Sequence, residues 1–244
     1  MEEKEILIEE EGGILRINLN RPKVRNALTT SMMEEITSLI EARDQSPEPR
    51  VVIFSGKGSS FCSGSDFHQL QRDQGMEKIH QHLRAIAQML KALRNTPKFL
   101  IAEVHGNALG GGMGLAMACD WIIASTNARF GLPEMKLGFI PALALVPLAH
   151  RVHERALEIM MTGEVLEAPQ ALAMGLVSQV LQEDQVSTRA GELARLLVSG
   201  DPESSGMAKQ VYRTILSMDY ERGVDYAAEL ILTRLCGDEG QEKK

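Results

Sequence analysis

Short runs of strand-like composition, separated by glycine and proline, punctuate the first hundred residues of this chain. The runs Glu5 to Glu10 and Ile14 to Leu19 flank the pair Gly12-Gly13, which predicts a β-hairpin. The runs Arg50 to Phe54 and Phe99 to Val104 are largely apolar. Runs of that kind are typical of strands buried on both faces of a parallel sheet. We therefore expect an opening hairpin followed by buried strands.

Between these strands, apolar side chains recur at every third or fourth position, as on one face of a helix. A first helix is expected to begin near Ser31, because Ser31 and Glu34 have the spacing of a capping box. A second is expected from Met76 to Leu93, with Pro97 shortly after its end. The apolar faces comprise Met33, Ile36, Leu39 and Ile40 in the first helix, and Ile79, Leu83, Ile86, Met89, Leu90 and Leu93 in the second.

The second half of the chain begins with HGNALGGGMGLAMACD, residues 105–120, which predicts a strand, a glycine turn and a helix. Trp121 to Ala124 is a predicted strand, Pro169 to Met174 a short helix, and Leu176 to Leu181 a strand. Helices are predicted at residues 185–198, 204–217 and 222–235. This order predicts an α/β core over residues 1–184 and a helical region over 185–244 that covers a site or forms subunit contacts.

Composition excludes several classes of protein. Of the 244 residues, 44% are hydrophobic and 24% are charged, as in an ordinary folded domain. A formal net charge of −7 argues against general nucleic-acid binding, and no run approaches the ~20 apolar residues of a membrane-spanning helix. The acidic N-terminus lacks the regions of a signal peptide, so we expect a cytoplasmic protein. Cys62, Cys119 and Cys236 lack metal-ligand spacing and are expected to be mostly buried thiols.

The glycine turn is the most informative local feature. Gly110, Gly111, Gly112 and Gly114 stand where a strand passes into a helix, although glycine costs a helix about 1 kcal/mol relative to alanine. Free N–H groups in the first turn suit a phosphate or a developing negative oxygen. Close packing of helix on strand would explain the same glycines, and both interpretations stay open. The spacing matches neither a P-loop nor a dinucleotide fingerprint.

A second turn of small residues follows an earlier strand, at Phe61-Cys62-Ser63-Gly64-Ser65-Asp66. It does not contain the GxSxG pattern of a nucleophile elbow. It could supply another backbone N–H, and two such amides that met at one point would form an oxyanion hole.

Four blocks in order now resemble the crotonase (enoyl-CoA hydratase/isomerase) family. FCSGSDF resembles its A-G-x-D-[LIF] turn, with Ser63 where alanine is usual, and the run from His105 to Asp120 resembles its N-G-x-A-x-G-G-G block. NRPKVRNAL and ARFGLPEMKLGFIP resemble two further blocks of the family. The later ALEIMMTGEVLEAPQALAMGLVSQVL also matches, so the resemblance covers nearly the whole chain, although we expect part of the family's C-terminal tail to be missing.

The resemblance implies an α/β fold of the crotonase type, a spiral of β-β-α turns with a C-terminal helical region. It implies an acyl-CoA thioester as substrate, no metal, and no cofactor beyond the CoA moiety. It also implies a homotrimer or a dimer of trimers, and no nucleic-acid or membrane partner. The oxyanion amides map onto Ser65 and Gly111. Contacts with CoA map onto Lys23, Arg25, Ala27, Ser63, Asp66 and Phe67.

The acid–base groups depart from the hydratase pattern. By the resemblance, hydratases of this family use two glutamates, one in the glycine-rich helix and one in the P-E block. Here Gly114 occupies the first position, and only the second, Glu134, carries a carboxylate. A single carboxylate suits isomerisation, in which a proton leaves one carbon and returns at another. Glu134 could also be an ordinary exposed glutamate. Hydration by another group stays open, because some members with glycine at the first position resemble hydratases or dehydratases of branched acyl thioesters.

Residues 141–147 are bulkier than the glycines found there in many family hydratases. They either line an acyl pocket, where they would raise the pKa of Glu134 by excluding water, or pack in the core. Of the remaining candidates, we expect Asp66 and Asp120 to be structural. We expect His80 and His82 to lie on the surface, and His68 to be incidental. Lys23 and Arg25 could equally be solvated surface cations.

Two other functions stay open at this point. The protein could be a dehydratase or decarboxylase that acts on an acyl group carried by acyl carrier protein, which would need a basic docking rim. It could instead be a non-catalytic homologue that only binds acyl-CoA. The carboxylate of Glu134 counts against the second possibility, while the loss of an acid at Gly114 counts weakly for it.

Overall fold

The computed structural model describes residues 4–238, apart from the side chains of residues 72, 202, 203 and 235–238. In chain order the strands are β1 (Ile6–Glu11), β2 (Ile14–Leu19), β3 (Val51–Gly56), β4 (Phe99–Val104), β5 (Asn107–Leu109), β6 (Trp121–Ser125), β7 (Arg129–Gly131), β8 (Val165–Glu167) and β9 (Gln179–Leu181). The α-helices are α1 (Thr30–Asp44), α2 (Met76–Asn95), α3 (Gly111–Met117), α4 (Ala142–Val152), α5 (Glu154–Thr162), α6 (Ala168–Ala173), α7 (Glu183–Ser199), α8 (Pro202–Ile215) and α9 (Tyr220–Asp238).

The opening hairpin is the edge of a six-stranded sheet with the order β1-β2-β3-β4-β6-β9. Strands β1 and β2 are antiparallel, with Ile6 opposite Leu19, as the sequence predicts. Each later strand pairs in parallel with its neighbour in the sheet. Parallel pairing requires a crossover between strands. The chain meets that requirement by leaving the sheet after each strand and returning through a helix or a loop.

A second layer of short strands forms at the points where the chain leaves the large sheet. Strands β5, β7 and β8 make a three-stranded sheet, and isolated bridges extend it from Ala108 to Cys62 and from Ser65 to Leu28. Successive turns of the chain therefore stack in register, each with a long strand, a short strand or bridge, and a helix or loop. This is the predicted spiral of β-β-α turns.

The central strands of the large sheet are buried on both faces, which explains the largely apolar runs. Val52 and Phe54 of β3 face the main core, whereas Val51 and Ile53 face a second apolar cluster formed with α7. Alternate side chains of one strand point to opposite faces, so a strand covered on both sides needs apolar residues at every position. Helices α1 and α2 pack against each other, and both contribute to the main core.

By internal contacts the described chain divides after Ser199 rather than after residue 184, because α7 packs against β3, β4 and β6. Helices α8 and α9 form the second unit, in which Arg234 donates a hydrogen bond to Ser204 over 3.2 Å. A role of the C-terminal region in covering a site or in subunit contacts stays a prediction.

Helix α1 begins at Thr30, near Ser31 as predicted, but its predicted cap was wrong. Its N-cap is Thr29, whose hydroxyl accepts a hydrogen bond from Met32 N, so the capping box of Ser31 and Glu34 does not form. Both residues lie inside the helix, since α1 begins at Thr30. The elements β7, β8, α4 and α5 were not predicted. Within residues 4–238, no helix is long and apolar enough to cross a membrane.

Candidate active site

The turn after β3 is held against the start of the glycine turn by main-chain hydrogen bonds. Cys62 N donates to Asn107 O over 2.9 Å, and Leu109 N donates to Cys62 O over 3.0 Å. On the other side, Leu28 N donates to Gly64 O and Asp66 N donates to Leu28 O, both over 2.8 Å. Segments far apart in sequence thus align as neighbouring strands, and this alignment brings Gly64-Ser65 beside Gly110-Gly111.

The two amides assigned to an oxyanion hole meet at this contact. A Cβ built on Gly111 would lie 3.2 Å from Ser65 N, and one built on Gly64 would lie 3.5 Å from Gly111 N. Because Gly64 O and Asp66 N both point to Leu28, the intervening Ser65 N–H points the other way, as alternate groups of an extended segment do. Within the described part of the chain, neither Ser65 N nor Gly111 N has a hydrogen-bond acceptor.

Close contacts explain the neighbouring glycines. Gly110 has φ +51°, and a Cβ there would lie 1.9 Å from Glu134 Oε1. A Cβ on Gly112 would lie 2.3 Å from Cys62 O, where helix α3 touches the turn. The packing interpretation therefore holds for Gly112, whereas Gly110 makes room for a carboxylate. Gly111 N is the first amide of α3, so its N–H has no partner within the helix.

Glu134 lies on a 3-10 helix, Pro133–Leu137, that follows β7. Its Oε2 is buried and has no hydrogen-bond partner among the residues that the structure describes. Burial raises the pKa of the Glu134 carboxyl above its ordinary value, partly opposed by a hydrogen bond from its own backbone N–H. The predicted direction is confirmed. Of the apolar residues near Glu134 in sequence, Leu132 is buried, whereas Phe139 and Ile140 are 46% and 75% exposed.

Position 114 has little free space. A Cβ on Gly114 would lie 3.0 Å from Ala144 Cα and 3.1 Å from Ala144 Cβ, since α4 packs directly on α3. In the segment 141–147, the buried side chain of Ala144 belongs to the core, and Val146 is exposed. The core-packing interpretation therefore holds for Ala144. A side chain at position 114 would require Ala144 of α4 to give way by a few tenths of an ångström.

The loop expected to approach CoA lies beside the same turn. Ser63 N donates to Arg25 O over 2.9 Å, and the Ser63 hydroxyl donates to Val24 O over 3.3 Å. Lys23 and Arg25 are exposed, and Ala27 is half-buried. Among the described residues, neither cation forms an ion pair. The backbone of this loop therefore contacts Ser63, and the loop carries two exposed cations, Lys23 and Arg25.

Asp66 has a structural role, as predicted from its sequence context. Its Oδ1 accepts from His68 N over 3.2 Å, and its Oδ2 accepts from Arg21 over 2.9 Å. Arg21 also pairs with Glu5 over 3.0 Å and donates to Ala27 O over 2.7 Å. Arg21 thus joins the two loops of the site, and the sequence analysis missed it. Its position in the NRP block was the signal that could have pointed to it.

Two exposed aromatic rings contact each other near the segments that carry the candidate site. Phe67 and Phe139 lie edge to face with their centroids 5.5 Å apart, and both are roughly half exposed. Phe67 follows the oxyanion turn and Phe139 follows the 3-10 helix of Glu134. Exposed apolar rings at this place provide a surface that an acyl chain could cover.

His82 is not on the surface, contrary to the prediction. It is fully buried, and its Nδ1 lies 3.0 Å from Thr30 Oγ1 and 3.1 Å from Gln69 Oε1. Its Nε2 has no partner in the described structure, and burial lowers its pKa. His68 and His80 are exposed, as expected for His80. The helical face of α2 that packs on α1 and on the Phe67–Leu70 turn therefore includes a polar residue.

The remaining candidates that the structure describes are buried thiols or a structural carboxylate. Cys62 and Cys119 are buried free thiols, and burial raises the pKa of the Cys62 thiol to about 12. Cys236 has a side chain outside the described set. Asp120 accepts from Leu100 N over 2.8 Å and is structural, as predicted. Over the described residues, no group of three or more His, Cys, Asp or Glu side chains could hold a metal ion.

A polar groove of about 460 Å³ lies elsewhere, between α1 and α2. It is lined by residues such as Glu34, Glu77, His80 and Arg84. None of its lining residues belongs to the glycine turn or to the segment of Glu134. The groove is therefore separate from the chemistry described above.

Residues 9–238 match the family model described as enoyl-CoA hydratase/isomerase. A putative enoyl-CoA hydratase of Thermus thermophilus is 32% identical over 90% of this chain and 88% of its own length. The short-chain-enoyl-CoA hydratase of Clostridium acetobutylicum is 32% identical over 94% and 88%. The enoyl-CoA isomerase/hydratase of Mycosarcoma maydis is 31% identical over 87% and 81%.

Solved structures agree with the sequence relatives. The crystal structure of human enoyl coenzyme A hydratase domain-containing protein 3 is similar with a TM-score of 0.90 and 28% identity. The match covers 96% of this chain and 92% of the human one. The enoyl-CoA hydratase subunit from Geobacillus kaustophilus is similar with a TM-score of 0.87 and 29% identity, over 98% and 93% of the two chains.

Proposed function

This chain belongs to the enoyl-CoA hydratase/isomerase family and has its α/β crotonase fold, and we propose that it moves the double bond of an enoyl-CoA with Glu134 as its acid–base group. The observation that carries the proposal is the position of one unpartnered carboxylate oxygen. Glu134 touches Gly110, and the next residue along, Gly111, carries one of the two free amides. A base and two N–H donors thus lie together, which is what proton removal next to a thioester needs.

In the proposed reaction, a 3-enoyl thioester binds with its carbonyl oxygen between Ser65 N–H and Gly111 N–H. The Glu134 carboxylate removes a proton from C2, and the electron pair of that bond moves into an enolate conjugated with the double bond. The two amides stabilise the negative oxygen. Glu134 then returns the proton at C4, the double bond moves to C2–C3, and the carboxylate is regenerated.

The raised pKa of Glu134 suits both halves of this cycle. A base with a higher pKa accepts a proton from carbon more readily, and it still releases that proton in the second step. Desolvation supplies this property: burial leaves Oε2 without a hydrogen-bond partner among the described residues, and the hydrogen bond from the backbone N–H of Glu134 offsets the rise in pKa only in part. Only proton transfer is required, so we propose no cofactor beyond the CoA moiety.

Hydration is the second candidate, because several relatives carry the name of hydratases. Hydration requires a base for water and a proton for carbon. At the position of the family's first glutamate stands Gly114, and α4 fills the adjacent space. One carboxylate would therefore have to perform both transfers. This is why we favour isomerisation.

Two substrates separate the candidates. We expect 3-hexenoyl-CoA to gain the ultraviolet absorbance of a conjugated thioester faster than crotonyl-CoA loses it. Isomerisation creates the conjugated double bond, whereas hydration removes it. A faster loss with crotonyl-CoA would favour hydration, and no change with either thioester would exclude both activities. Comparing the rates with the same acyl groups attached to CoA and to acyl carrier protein shows which carrier the protein accepts.

We propose CoA rather than acyl carrier protein as that carrier. Lys23 and Arg25 are exposed, and they adjoin Ser63 in the loop that flanks the oxyanion turn. Two cations suit the phosphates of CoA, which is a small polyanion. Surface solvation remains their alternative role. Loss of affinity for CoA in a variant with both changed to alanine, with kcat retained, supports the proposal.

We also propose that the protein assembles as a trimer or a dimer of trimers through its C-terminal helices. Within this unit, the apolar side chains of Tyr212, Leu216, Val224, Ile231 and Leu232 are more than half exposed. Val224 and Ile231 are seven residues apart on α9 and therefore lie on the same helical face. Exposed apolar rows of this kind are typical of subunit contacts.

Light scattering at micromolar concentration should therefore give a mass of three or six chains. Replacing Val224 and Ile231 together by aspartate should shift that mass downward, because burying a charge in an apolar contact is costly. Replacing the exposed Glu221 and Glu229 by aspartate provides a surface control. A monomeric parent protein would contradict the proposal.

A further inference from the structure

The side chain of Ser65 stands beside the candidate oxyanion hole. Its Oγ and its own N are each 3.2 Å from the point where a Cβ of Gly111 would lie. The hydroxyl is therefore on the same side of Gly111 as the amide already assigned to the thioester oxygen. Ser65 is half-buried, so the hydroxyl is sheltered without being closed off.

No hydrogen-bond partner of the Ser65 hydroxyl exists within the described part of the chain. Neighbouring hydroxyls differ in this respect. The Ser63 hydroxyl donates to Val24 O over 3.3 Å, and the Thr29 hydroxyl donates to Glu5 over 2.8 Å. Ser65 Oγ is also not among the fully enclosed polar atoms that lack a partner. Its hydrogen is thus available to a ligand that enters the site.

We propose that the Ser65 hydroxyl donates a third hydrogen bond to the thioester oxygen as the enolate forms. This inference rests on the proposed function. A hydrogen bond from a hydroxyl to an anionic oxygen is shorter and stronger than one to a neutral carbonyl. The bond therefore gains strength between bound substrate and transition state, and it acts on kcat more than on KM.

The motif itself does not require this group. Ser65 occupies position x of the A-G-x-D turn, at which the motif specifies no side chain, and its backbone N–H is present with any residue there. The hydroxyl is consequently an addition to the two amides that belongs to this chain. Ser65 becomes a catalytic residue by its side chain as well as by its main chain.

Ser65→Ala removes the hydroxyl and keeps the amide. We expect kcat with 3-hexenoyl-CoA to fall about ten- to a hundredfold, the loss that follows removal of one hydrogen bond to a charged group. KM should stay within about twofold, because the neutral carbonyl loses little. Ser65→Thr keeps a hydroxyl and should recover part of the rate. Ser59→Ala, an exposed serine on the same segment, should behave as the parent.

A second measurement does not depend on turnover. Acetoacetyl-CoA is a 3-oxoacyl thioester whose enolate absorbs in the ultraviolet, so the pH at which the bound ligand enolises reports the donors around its oxygen. We expect Ser65→Ala to lower the enolised fraction about tenfold or more at a fixed pH, and Ser59→Ala to leave it unchanged. Circular dichroism and the melting temperature establish that each variant is folded.

The outcomes separate this inference from the function on which it rests. Equal enolisation and equal kcat in Ser65→Ala and the parent would overturn the third hydrogen bond, while the isomerase proposal would stand on the parent's turnover. Enolisation that depends on Ser65 without any isomerisation by the parent would support the hydrogen bond and overturn the isomerase. A parent that neither enolises the ligand nor isomerises its substrate would overturn both.

Discussion

Glu134→Gln should lower kcat for double-bond isomerisation by about 10²- to 10⁴-fold, the usual contribution of a general base. Glutamine has the size of glutamate, so the contact with Gly110 is retained while proton transfer is lost. Affinity for the acyl-CoA should change little, because the carboxylate acts on the proton at C2 and not on the CoA moiety. Steady-state kinetics of the purified variant, compared with the parent, measure both quantities.

The pH dependence of the parent provides a second part of this test. A base works when ionised, so kcat/KM should fall as the pH drops through the raised pKa of Glu134. This acid limb should lie above the ~4.3 of an ordinary glutamate. Because the folded pKa exceeds the unfolded one, ionisation of Glu134 costs folding stability, and the cost appears as the pH rises through the folded pKa.

Glu134→Gln should therefore be slightly more stable than the parent at neutral pH, and a loss of activity cannot then be attributed to unfolding. Glu164→Gln, an exposed glutamate beyond α5, is the matched control. If the Glu134 variant turns over substrate within a few-fold of the parent, another group is the base. His68 would then be the next candidate, and isomerisation by one carboxylate would be abandoned.

Gly111→Pro should lower kcat by at least about 10²-fold, because it removes one of the two donors to the enolate oxygen. The substitution suits the local backbone, since position 111 is the first residue of α3 and proline is favoured there. The fold should thus form. Glu134 is unchanged in this variant, so the fall in kcat measures the contribution of the Gly111 amide separately from that of the base.

Gly111→Ala is the control that makes this result interpretable. Its Cβ meets Ser65 N and Oγ at 3.2 Å, a tight contact that the proline variant shares, but alanine keeps the N–H. The alanine variant should consequently retain far more activity than the proline variant. Equal activity of the two, or a folded proline variant with nearly the parent's rate, would remove Gly111 from the oxyanion hole.

Periodicity predicted the elements that have strong local patterns. The hairpin, β3, β4, β6 and the helix α2 lie within a few residues of their predicted places, because apolar runs and turn residues act over short distances. The start of α1 was predicted correctly, but its cap was assigned to the wrong residue because two cap signals compete within three residues. Thr29 forms the cap, since its hydroxyl accepts from Met32 N while it is also bound to Glu5, a partner that sequence spacing does not reveal.

The elements that went unpredicted depend on distant partners. Strands β7 and β8 have three residues each and form because β7 pairs with β5 on one side and with β8 on the other. Three residues are too few to show the alternation of apolar and polar side chains that predicts a strand. His82 was misplaced for a related reason, because its burial follows from Thr30 and Gln69, which approach from other parts of the chain.

The residues of the candidate site were predicted from the resemblance to the family, because the local sequence alone did not decide the role of the glycine turn. The glycines alone could not distinguish a ligand from close packing, and the structure has both, with Gly112 against Cys62 and Gly110 against Glu134. Arg21 escaped notice because its two carboxylate partners, Glu5 and Asp66, lie 16 and 45 positions away. Long-range ion pairs of this kind leave no pattern in a single sequence.

The packing of α4 on position 114 has an evolutionary consequence. A chain that acquired a glutamate there first would have to force Ala144 aside, and overpacking of this kind typically costs about 1–3 kcal/mol. Such an intermediate would lose stability before it gained a second proton donor. Substitutions that loosen α4 would lower this cost and are therefore permissive. Residue 144 thus couples the packing of α4 to the number of carboxylates that the site can hold.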